Sequence, residues 1–226
     1  MADRIIAITG AAGVLGSAVA QAAAELPCKL ALIDHAKACP GPNGAFIQTG
    51  VDLTDAGQAG AAIDAVADKL GGLDVLLNIA GGFRWETIEG GSSDTWPQLY
   101  RLNVLTATNA SRAAIPHLKR SAAGRIVNVG SAAALKAGLG MGAYAASKAG
   151  VHALTQSLAE ELKADGVTVN AVLPSIIDTP TNRADMPDAD FSAWVAPKDL
   201  AAVILFLASE AATPVTGALV PVTGRV

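Results

Sequence analysis

Residues that cross-link a chain or bind a metal are scarce in this sequence. Its 226 residues include two cysteines, Cys28 and Cys39, and three histidines, which lie far apart. Two cysteines do not make a disulfide framework, and the histidines lack the spacing of metal ligands. We therefore predict neither a disulfide-stapled module nor a metal site.

Charged residues are also few, at 16% of the chain, and the net charge is −4. No cluster of Lys and Arg indicates a nucleic-acid surface. No apolar stretch approaches the about 20 residues of a membrane-spanning helix. The first four residues run into a strand pattern and lack the layout of a signal peptide. These absences favour a cytoplasmic protein that binds neither nucleic acid nor membrane.

Small apolar residues are what the chain has in abundance. Apolar residues make up 51% of it, although aromatic residues make up only 4%. Side chains of this size suit helices packed closely on a parallel sheet. The length predicts one domain, spanning residues 1–226, better than two.

Apolar runs alternate with helical patterns along the whole chain. The predicted strands cover residues 4–9, 29–34, 45–50, 73–79, 125–129, 167–173 and 218–222. The predicted helices cover residues 14–26, 56–70, 96–119, 142–164 and 197–209, and Pro116 is expected to kink or end the third. This order predicts an α/β fold of the Rossmann type, doubly wound, with a seven-stranded, mostly parallel sheet covered by helices on both faces.

One segment, around residues 175–196, shows poor periodicity. It is polar, contains proline and follows the end of a predicted strand. Open α/β sheets bind ligands at the carboxyl ends of their strands, so this segment is a candidate substrate loop. An ordinary surface loop is the alternative.

Three glycines follow the first predicted strand. Gly10, Gly13 and Gly16 open the first helix, whose first turn also contains Val14 and Leu15. Glycines at these positions allow a sharp turn and let a pyrophosphate approach the helix amino terminus. The strand and helix on either side supply the context that this motif needs, so we predict a dinucleotide-binding turn.

Acidic residues follow the second and third predicted strands. Asp34 lies 18 residues after Gly16, where a carboxylate accepts hydrogen bonds from the adenosine ribose and repels a 2′-phosphate. NAD is therefore favoured over NADP. Asp52 and Leu53 are candidates to flank the adenine, although Asp52 could instead cap the next helix, a role for which Asp55 competes.

A phenol and an ammonium lie one helical turn apart at Tyr144 and Lys148. The phenol has an ordinary pKa of about 10, and lowering it to about 7 requires roughly 4 kcal/mol of differential stabilisation. Lys148 and the positive nicotinamide of an oxidised cofactor are the two charges that could supply it. Ser131 precedes Tyr144 by 13 residues across a glycine-rich loop, so its hydroxyl could bind the substrate oxygen. Its alternative role is to cap a turn.

The sequence resembles the short-chain dehydrogenase/reductase family over nearly its whole length, in that family's single-domain branch. The resemblance rests on residues 9–16, 78–81, 170–174 and 217–224, together with Asn103, Ser131, Tyr144, Lys148 and Thr179.

The resemblance implies a catalytic tetrad of Asn103, Ser131, Tyr144 and Lys148. Tyr144 would donate or accept the proton, Ser131 would orient the substrate oxygen, and Lys148 would hold the nicotinamide ribose. Asn103 would hold a water that links Lys148 to solvent. Further cofactor contacts are implied for Asn78, Ala80, Gly81, Pro174, Ile177 and Thr179.

Three positions depart from the family pattern. Val14 and Ser175 stand where glycine is usual, and Ile79 replaces an asparagine. Since Ile79 lies in an apolar strand, we expect little functional effect from it.

The resemblance also implies where a substrate would bind. The pocket walls would come from Phe83, Trp85, Leu135, Met141 and Trp194, which favour a hydrophobic or aromatic ketone or secondary alcohol. The two tryptophans could equally be core or subunit contacts. Arg84 could bind an acidic group of the substrate or simply be solvated.

The predicted function is therefore an NAD(H)-dependent oxidoreductase, a short-chain alcohol dehydrogenase or carbonyl reductase. One alternative is a reductase of a C=N bond, in a pteridine or imine, within the same family. The other is a non-catalytic nucleotide-binding protein. The resemblance further suggests a homotetramer, formed through the long helices around residues 98–118 and 144–164.

Overall fold

The computed structural model describes residues 4–226. Residues 1–3, which the predictions about the amino terminus and the domain included, lie outside the described residues. The strands are β1 (Arg4–Thr9), β2 (Cys28–Ile33), β3 (Phe46–Gln48), β4 (Val75–Asn78), β5 (Arg125–Val129), β6 (Thr168–Pro174) and β7 (Leu219–Val222). The helices are α1 (Val14–Ala24), α2 (Ala56–Leu70), α3 (Thr95–Tyr100), α4 (Thr106–Leu118), α5 (Gly142–Leu162), α6 (Pro180–Asp185) and α7 (Pro197–Ala208).

The seven strands form one sheet in the order β3-β2-β1-β4-β5-β6-β7, which confirms the doubly wound α/β prediction. Every neighbouring pair of these strands is parallel, so the sheet is more regular than the mostly parallel one expected. The chain builds outward from β1 to β3 and then crosses back to place β4 on the other side of β1. This reversal makes the crevice between β1 and β4 the ligand site expected for such a sheet.

Alternating side chains of the strands supply two separate cores. In β1, Ile5 and Ala7 pack beneath α2, α4 and α5. Ile6 and Ile8 face the opposite side and pack beneath α1 and α7. The strand β1 is thus apolar on both faces, as is typical of a central parallel strand.

The helix predicted over residues 96–119 is divided in the structure. The helical segments α3 and α4 are joined without a break by a π-helical turn, Arg101–Leu105. Pro116 lies inside α4, which ends two residues later at Leu118. The hydrogen bonds of a π turn join residues five apart instead of four apart, and such turns often occur at functional sites. Here the turn contains Asn103.

The segment after β6 has more structure than its sequence pattern indicated. It contains α6 and a short 3-10 turn, Phe191–Ala193. An isolated parallel bridge pairs Ile177 with Val195 and closes the segment into a loop at the carboxyl end of the sheet. Within residues 4–226, no helix combines the length and the apolar character needed to cross a lipid bilayer.

Candidate active site

The glycine turn after β1 packs its backbone against two neighbouring segments. Gly10 has a φ of +65°, and a Cβ atom there would lie 2.7 Å from the Ala80 backbone. A Cβ atom on Gly16 would lie 2.1 Å from the Gly10 carbonyl oxygen. Gly13 is the N-cap of α1 and has no side chain to bind the first N–H groups of the helix. The amino end of α1 is thereby left available to an anion beside the β1–β4 crevice.

Thr9 fixes the end of β4 to the glycine turn. Its buried hydroxyl donates to the Leu77 carbonyl at 3.3 Å and accepts the N–H groups of Ile79 and Ala80 at 3.1 and 3.2 Å. These bonds hold residues 79–81 beside Gly10. The segment that the resemblance assigned to the cofactor is therefore a rigid wall of the crevice.

Asp34 follows β2 and bridges two turns. One carboxylate oxygen accepts the Ala12 N–H and the other accepts the Ala36 N–H, each at 2.8 Å. Asp34 is half-buried beside the glycine turn, and each carboxylate oxygen has capacity for a further hydrogen bond. The contact of Asp34 with the adenosine ribose stays a prediction.

The structure assigns the capping role weighed for Asp52 to another residue. Asp55, not Asp52, is the N-cap of α2 and accepts the Gln58 N–H at 2.8 Å. Asp52 accepts the Thr54 N–H at 2.8 Å, and this hydrogen bonding holds the pKa of the Asp52 carboxyl below its usual value. Leu53 is buried in the core beneath α2 and α4, so its side chain is directed away from the crevice.

Asn78 also points into the protein. Its amide nitrogen donates to Ser111 at 3.0 Å and to Asn128 at 2.9 Å, and Asn128 in turn donates to Thr155 at 2.8 Å. This buried chain of polar groups ties β4 and β5 to α4 and α5. Its amide oxygen is buried and has no hydrogen-bond partner among the described residues.

Helix α5 carries Tyr144 and Lys148 on the face directed toward β5. The Lys148 side chain is buried, and its ammonium donates to the Val129 carbonyl at 2.8 Å. The ammonium nitrogen lies 6.0 Å from the centre of the Tyr144 ring. The predicted pair is thus brought to the end of β5.

Ser131 lies directly opposite Tyr144. Its hydroxyl accepts the Ala133 N–H at 3.1 Å and so caps a 3-10 turn, which was the alternative role weighed for it. The same side chain also lowers the pKa of the Tyr144 phenol, so the two hydroxyl groups lie close to each other. The two roles are therefore compatible.

Burial acts on the two ionisable groups in opposite directions. It raises the pKa of the Tyr144 phenol, although the Ser131 hydrogen bond partly offsets that effect. It lowers the pKa of Lys148 to about 8. In both cases burial favours the neutral form of the side chain, because a low-dielectric environment destabilises the charged form. Lys148 by itself does not bring the phenol to neutral pH, and the lowering expected from the two charges together remains a prediction for the cofactor complex.

The π turn places the Asn103 amide against the loop after β4. Its oxygen accepts the Gly82 N–H at 2.9 Å, and its nitrogen donates to the Gly82 carbonyl and to Ser147 at 3.1 and 2.9 Å. A Cβ atom on Gly81 would lie 2.5 Å from the Asn103 amide oxygen and 3.5 Å from the Lys148 nitrogen. Asn103, Gly81 and Lys148 therefore meet at one point, where the amide locks the loop. The water-holding role implied for Asn103 stays a prediction.

The loop after β6 contributes backbone to the same edge of the sheet. Pro174 ends β6, and the Ile177 carbonyl accepts the Asn182 side-chain amide at 2.7 Å. Thr179 is the N-cap of α6 and accepts the Asn182 N–H at 3.1 Å. The Thr179 hydroxyl keeps its own hydrogen to donate to a ligand.

Four of the five predicted substrate residues lie outside the core. Phe83 contacts Tyr144 edge to face, with ring centres 4.9 Å apart. Trp85, Leu135 and Met141 lie in or beside the two loops that border Tyr144, and the first two are more than half exposed. The fifth, Trp194, is only 7% exposed and packs on Phe191, so the structure favours the core role weighed for it.

Arg84 lies at the edge of this region. Its guanidinium is 55% exposed and pairs with Glu86 at 3.1 Å. The interpretation of Arg84 as a surface residue therefore fits the structure better than a role in binding an acidic substrate. Among residues 4–226, no group of three or more His, Cys, Asp or Glu could hold a metal ion.

Comparison with known families agrees with this geometry. The family model described as short chain dehydrogenase matches residues 4–190, which include the glycine turn and all four residues of the predicted tetrad. The chain is a short-chain dehydrogenase. The resemblance noted in the sequence is thereby confirmed, and with it an oxidoreductase class that uses nicotinamide cofactors and acts on small molecules.

The names of proteins similar to this short-chain dehydrogenase describe several different activities. A 3-oxoacyl-[acyl-carrier-protein] reductase of Vibrio cholerae is 30% identical, over 98% of this chain and 96% of the relative. A meso-2,3-butanediol dehydrogenase of Serratia marcescens is 33% identical, over 98% and 94%. The ligand-free aldohexose dehydrogenase of Thermoplasma acidophilum has a TM-score of 0.89 at 28% identity, covering 99% of this chain and 93% of that one. These names share oxidoreduction at an alcohol or carbonyl carbon and differ in substrate.

Sequence reasoning missed several residues that shape the site of this dehydrogenase. Thr9 was read only as part of a motif, although a hydroxyl at the end of a buried strand could have indicated a backbone-bonding role. Ser147 was not singled out, yet it donates to the Tyr144 carbonyl at 2.7 Å and accepts from Asn103. His152 was set aside as a lone histidine, and the structure buries it against the end of β5.

Proposed function

We propose that this dehydrogenase interconverts a secondary alcohol and a ketone with NAD(H), and that Tyr144 transfers the proton. The observation that carries the proposal is the convergence of Tyr144, Ser131 and Lys148 at the end of β5, next to Gly81. In the direction of reduction, a hydride adds to the carbonyl carbon and a proton adds to its oxygen.

The crevice between β1 and β4 fits a dinucleotide. Gly10, Gly13 and Gly16 leave backbone where side chains would stand, and the amino end of α1 suits a pyrophosphate. We assign the cofactor to this turn and to the predicted contacts in the 78–81, 52–53 and 174–179 segments. When bound, the nicotinamide supplies the hydride acceptor or donor.

The chain's own residues would handle the proton and the substrate oxygen. The Ser131 hydroxyl holds the oxygen of the substrate beside Tyr144, and the phenol gives up its proton as that oxygen gains charge. Lys148, fixed by the Val129 carbonyl, is close enough to stabilise the resulting phenolate. Lys148 would also donate hydrogen bonds to the nicotinamide ribose.

The preference for NAD rests on Asp34. Its two oxygens are anchored by the Ala12 and Ala36 N–H groups, so the carboxylate cannot easily turn away from the adenosine side of the crevice. A fixed negative charge there accepts hydrogen bonds from ribose hydroxyls and repels a 2′-phosphate.

The substrate class follows from the side chains beside Tyr144. Phe83, Leu135 and Met141 are apolar, and the nearby Arg84 is already paired with Glu86. We therefore propose a hydrophobic or aromatic ketone or secondary alcohol. The substrate named for the butanediol dehydrogenase relative is also an uncharged secondary alcohol.

A homotetramer in the cytoplasm is the assembly and location we propose. Trp96, Tyr100 and Leu102 are each 37% exposed or more and lie on the α3 and π segment that packs beside α5. Apolar side chains exposed together indicate a contact surface. Light scattering on the purified chain measures the oligomer directly, and a monomer at all concentrations would contradict this assignment. Residues 4–226 are proposed to fold as one domain.

The experiment for the proposed function is a screen with NADH and NADPH in parallel. Uncharged aryl ketones, acidic ketones, pterins and cyclic imines are offered to the enzyme, and nicotinamide absorbance reports turnover. The proposal expects turnover of uncharged ketones with NADH. Turnover of imines or pterins alone would favour the C=N alternative, and cofactor binding with no turnover would favour a non-catalytic protein.

A further inference from the structure

A third polar residue continues the catalytic face of α5. Tyr144, Lys148 and His152 follow one another at intervals of four residues, so they lie along one side of the helix. His152 is only 6% exposed, and the proposed proton transfer makes no direct use of it. The buried position of this imidazole, near two ionisable side chains, suggests that it has a function in the site.

The imidazole binds the backbone of the segment that carries Ser131. Its Nε2 accepts the Ser131 N–H at 3.3 Å. A Cβ atom on Gly130 would lie 2.5 Å from Nε2 and 2.7 Å from Cδ2, so the ring lies directly on this backbone. The glycine at position 130 is therefore explained by the histidine at position 152.

Three hydrogen bonds then fix three consecutive residues at the end of β5. Lys148 donates to the Val129 carbonyl, Gly130 donates to the Val172 carbonyl of β6 at 2.9 Å, and Ser131 donates to His152. The last bond is the one nearest the Ser131 hydroxyl. Without it, Ser131 would keep its bonds to Ala133 and Ala134 but would lose its hydrogen bond to α5.

We propose that His152 is a positioning residue, which holds Ser131 against Tyr144 only while its Nε2 is an unprotonated acceptor. The inference rests on the proposed function, because it assigns Ser131 the task of holding the substrate oxygen. Neutral His152 must carry its proton on Nδ1 to accept at Nε2. Protonation converts Nε2 into a donor that faces another donor and breaks the bond.

The surroundings of His152 keep it neutral at physiological pH. Burial and, secondarily, the charge of Lys148 lower the pKa of His152. Lys148 is the charge that acts on the ring from α5. Gly130 and Ser131, which directly follow β5, present neutral backbone to the ring. Because the pKa is lowered, the bond is intact at neutral pH and is lost only as the pH falls through that lowered pKa.

Two substitutions at this position separate a positioning role from simple packing. Glutamine in His152→Gln offers a neutral oxygen that can accept the Ser131 N–H at any pH, whereas His152→Leu fills space without an acceptor. We expect His152→Leu to lower kcat about tenfold, the effect of one lost hydrogen bond, with KM for NAD within twofold of the original. His152→Gln should recover most of kcat and should keep it at acidic pH, where the unmodified enzyme declines.

A matched control is His117→Gln. His117 of α4 pairs with Asp64 of α2 at 2.8 Å, away from the Ser131 segment, so its replacement should leave the pH profile unchanged. Equal kcat values for the Leu and Gln variants, or an acid decline that persists in His152→Gln, would overturn the proposal.

A measurement on the unmodified protein keeps the test independent of activity and of variant folding. Ring nitrogen chemical shifts at neutral pH should show the His152 tautomer with the proton on Nδ1, and the Ser131 amide shift should follow its titration. A proton on Nε2 at neutral pH would overturn the proposal. If these shifts appear as expected and the screen finds no turnover, the function assigned to the enzyme fails while the contact stands.

Discussion

At the scale of single residues, the polar side chains of the candidate site already form hydrogen bonds within the protein. The Asp34 carboxylate is tied to two backbone N–H groups, the Asn103 amide to Gly82 and Ser147, and the Lys148 ammonium to Val129. Such anchoring removes side-chain freedom before a ligand arrives, which reduces the entropy cost of binding. The chemistry proposed for each residue uses the donor or acceptor capacity that remains.

The cofactor preference can be tested at Asp34. Asp34→Asn removes the negative charge while keeping the size of the side chain. We expect the ratio of kcat/KM for NAD to that for NADP to fall about tenfold or more, since a charge repulsion of roughly 1.4 kcal/mol accounts for a factor of ten. Steady-state kinetics with both cofactors measure it. Asp188→Asn, at an exposed position in the loop after β6, is the control, and an unchanged ratio in Asp34→Asn would contradict the assignment.

At the scale of elements, two loops are joined beside Tyr144. The Trp85 indole donates to the Leu139 carbonyl at 2.8 Å, and the Glu86 N–H donates to the Gly140 carbonyl at 3.0 Å. Gly140 has a φ of +72°, and a Cβ atom there would lie 2.2 Å from the Trp85 ring. The loop after β4 and the loop before α5 therefore form one wall.

Gly140→Ala should disrupt the contact between the loop after β4 and the loop before α5. The left-handed backbone costs about 1–2 kcal/mol for a residue with a Cβ atom, and the added methyl group displaces Trp85. We expect KM for the substrate to rise and the free energy of unfolding to fall by about 1–3 kcal/mol. Kinetics and denaturant unfolding report the two effects.

The matched variant for this test is Gly138→Ala in the same loop. A Cβ atom on Gly138 would meet only Met141, at an ordinary contact distance of 3.9 Å. It should therefore leave KM and stability near their original values. Equal behaviour of the two alanine variants would show that the contact between Trp85 and Gly140 has no part in substrate binding.

The elements themselves were largely readable from the sequence, and the exceptions have physical causes. The bounds of β1, α2 and β5 agree with the predictions because capping residues or sharp changes in polarity mark their ends. The π turn at 101–105 was missed because it is set by the contacts of Asn103 with Gly82 and Ser147, and local periodicity does not report distant partners. The same limit applies to His152, whose partner Ser131 lies on another element.

At the scale of the whole molecule, one sheet separates two cores, and the site lies at its carboxyl edge. The sequence predicted a ligand site at this edge, because open α/β sheets bind ligands at the carboxyl ends of their strands. The strand order that puts the crossover between β1 and β4 came from the structure. The sequence could not place Leu53, Asn78 and Trp194 relative to that crevice, because burial depends on which helices cover each position.

The single-domain assignment can be tested through two neighbouring leucines of β4. Leu76 belongs to the core beneath α2 and α4, and Leu77 to the core beneath α1 and α7. Both are completely buried, so Leu76→Ala and Leu77→Ala should each lower the free energy of unfolding by about 2–5 kcal/mol. Leu139→Ala, at an 80% exposed position, should change it by about 0.5 kcal/mol or less.

Both core variants should unfold in one transition when followed by circular dichroism and by tryptophan fluorescence. A single transition in both variants would show that the cores on the two sides of the sheet unfold together, as one cooperative unit. Two separated transitions, each shifted by only one of the substitutions, would contradict a single domain.

The central claim is that Tyr144 transfers the proton in a hydride-transfer reaction, and the chain offers its own control because it has two tyrosines, Tyr144 and the half-exposed Tyr100. The decisive measurement compares kcat of Tyr144→Phe and Tyr100→Phe on the best substrate from the screen, with the Kd for NADH measured by fluorescence in both. We predict that Tyr144→Phe loses about 10²–10⁴-fold in kcat, the usual contribution of a general acid or base, while its Kd for NADH and its melting temperature stay near those of Tyr100→Phe. A Tyr144→Phe enzyme that binds NADH and turns over as fast as Tyr100→Phe would contradict the claim.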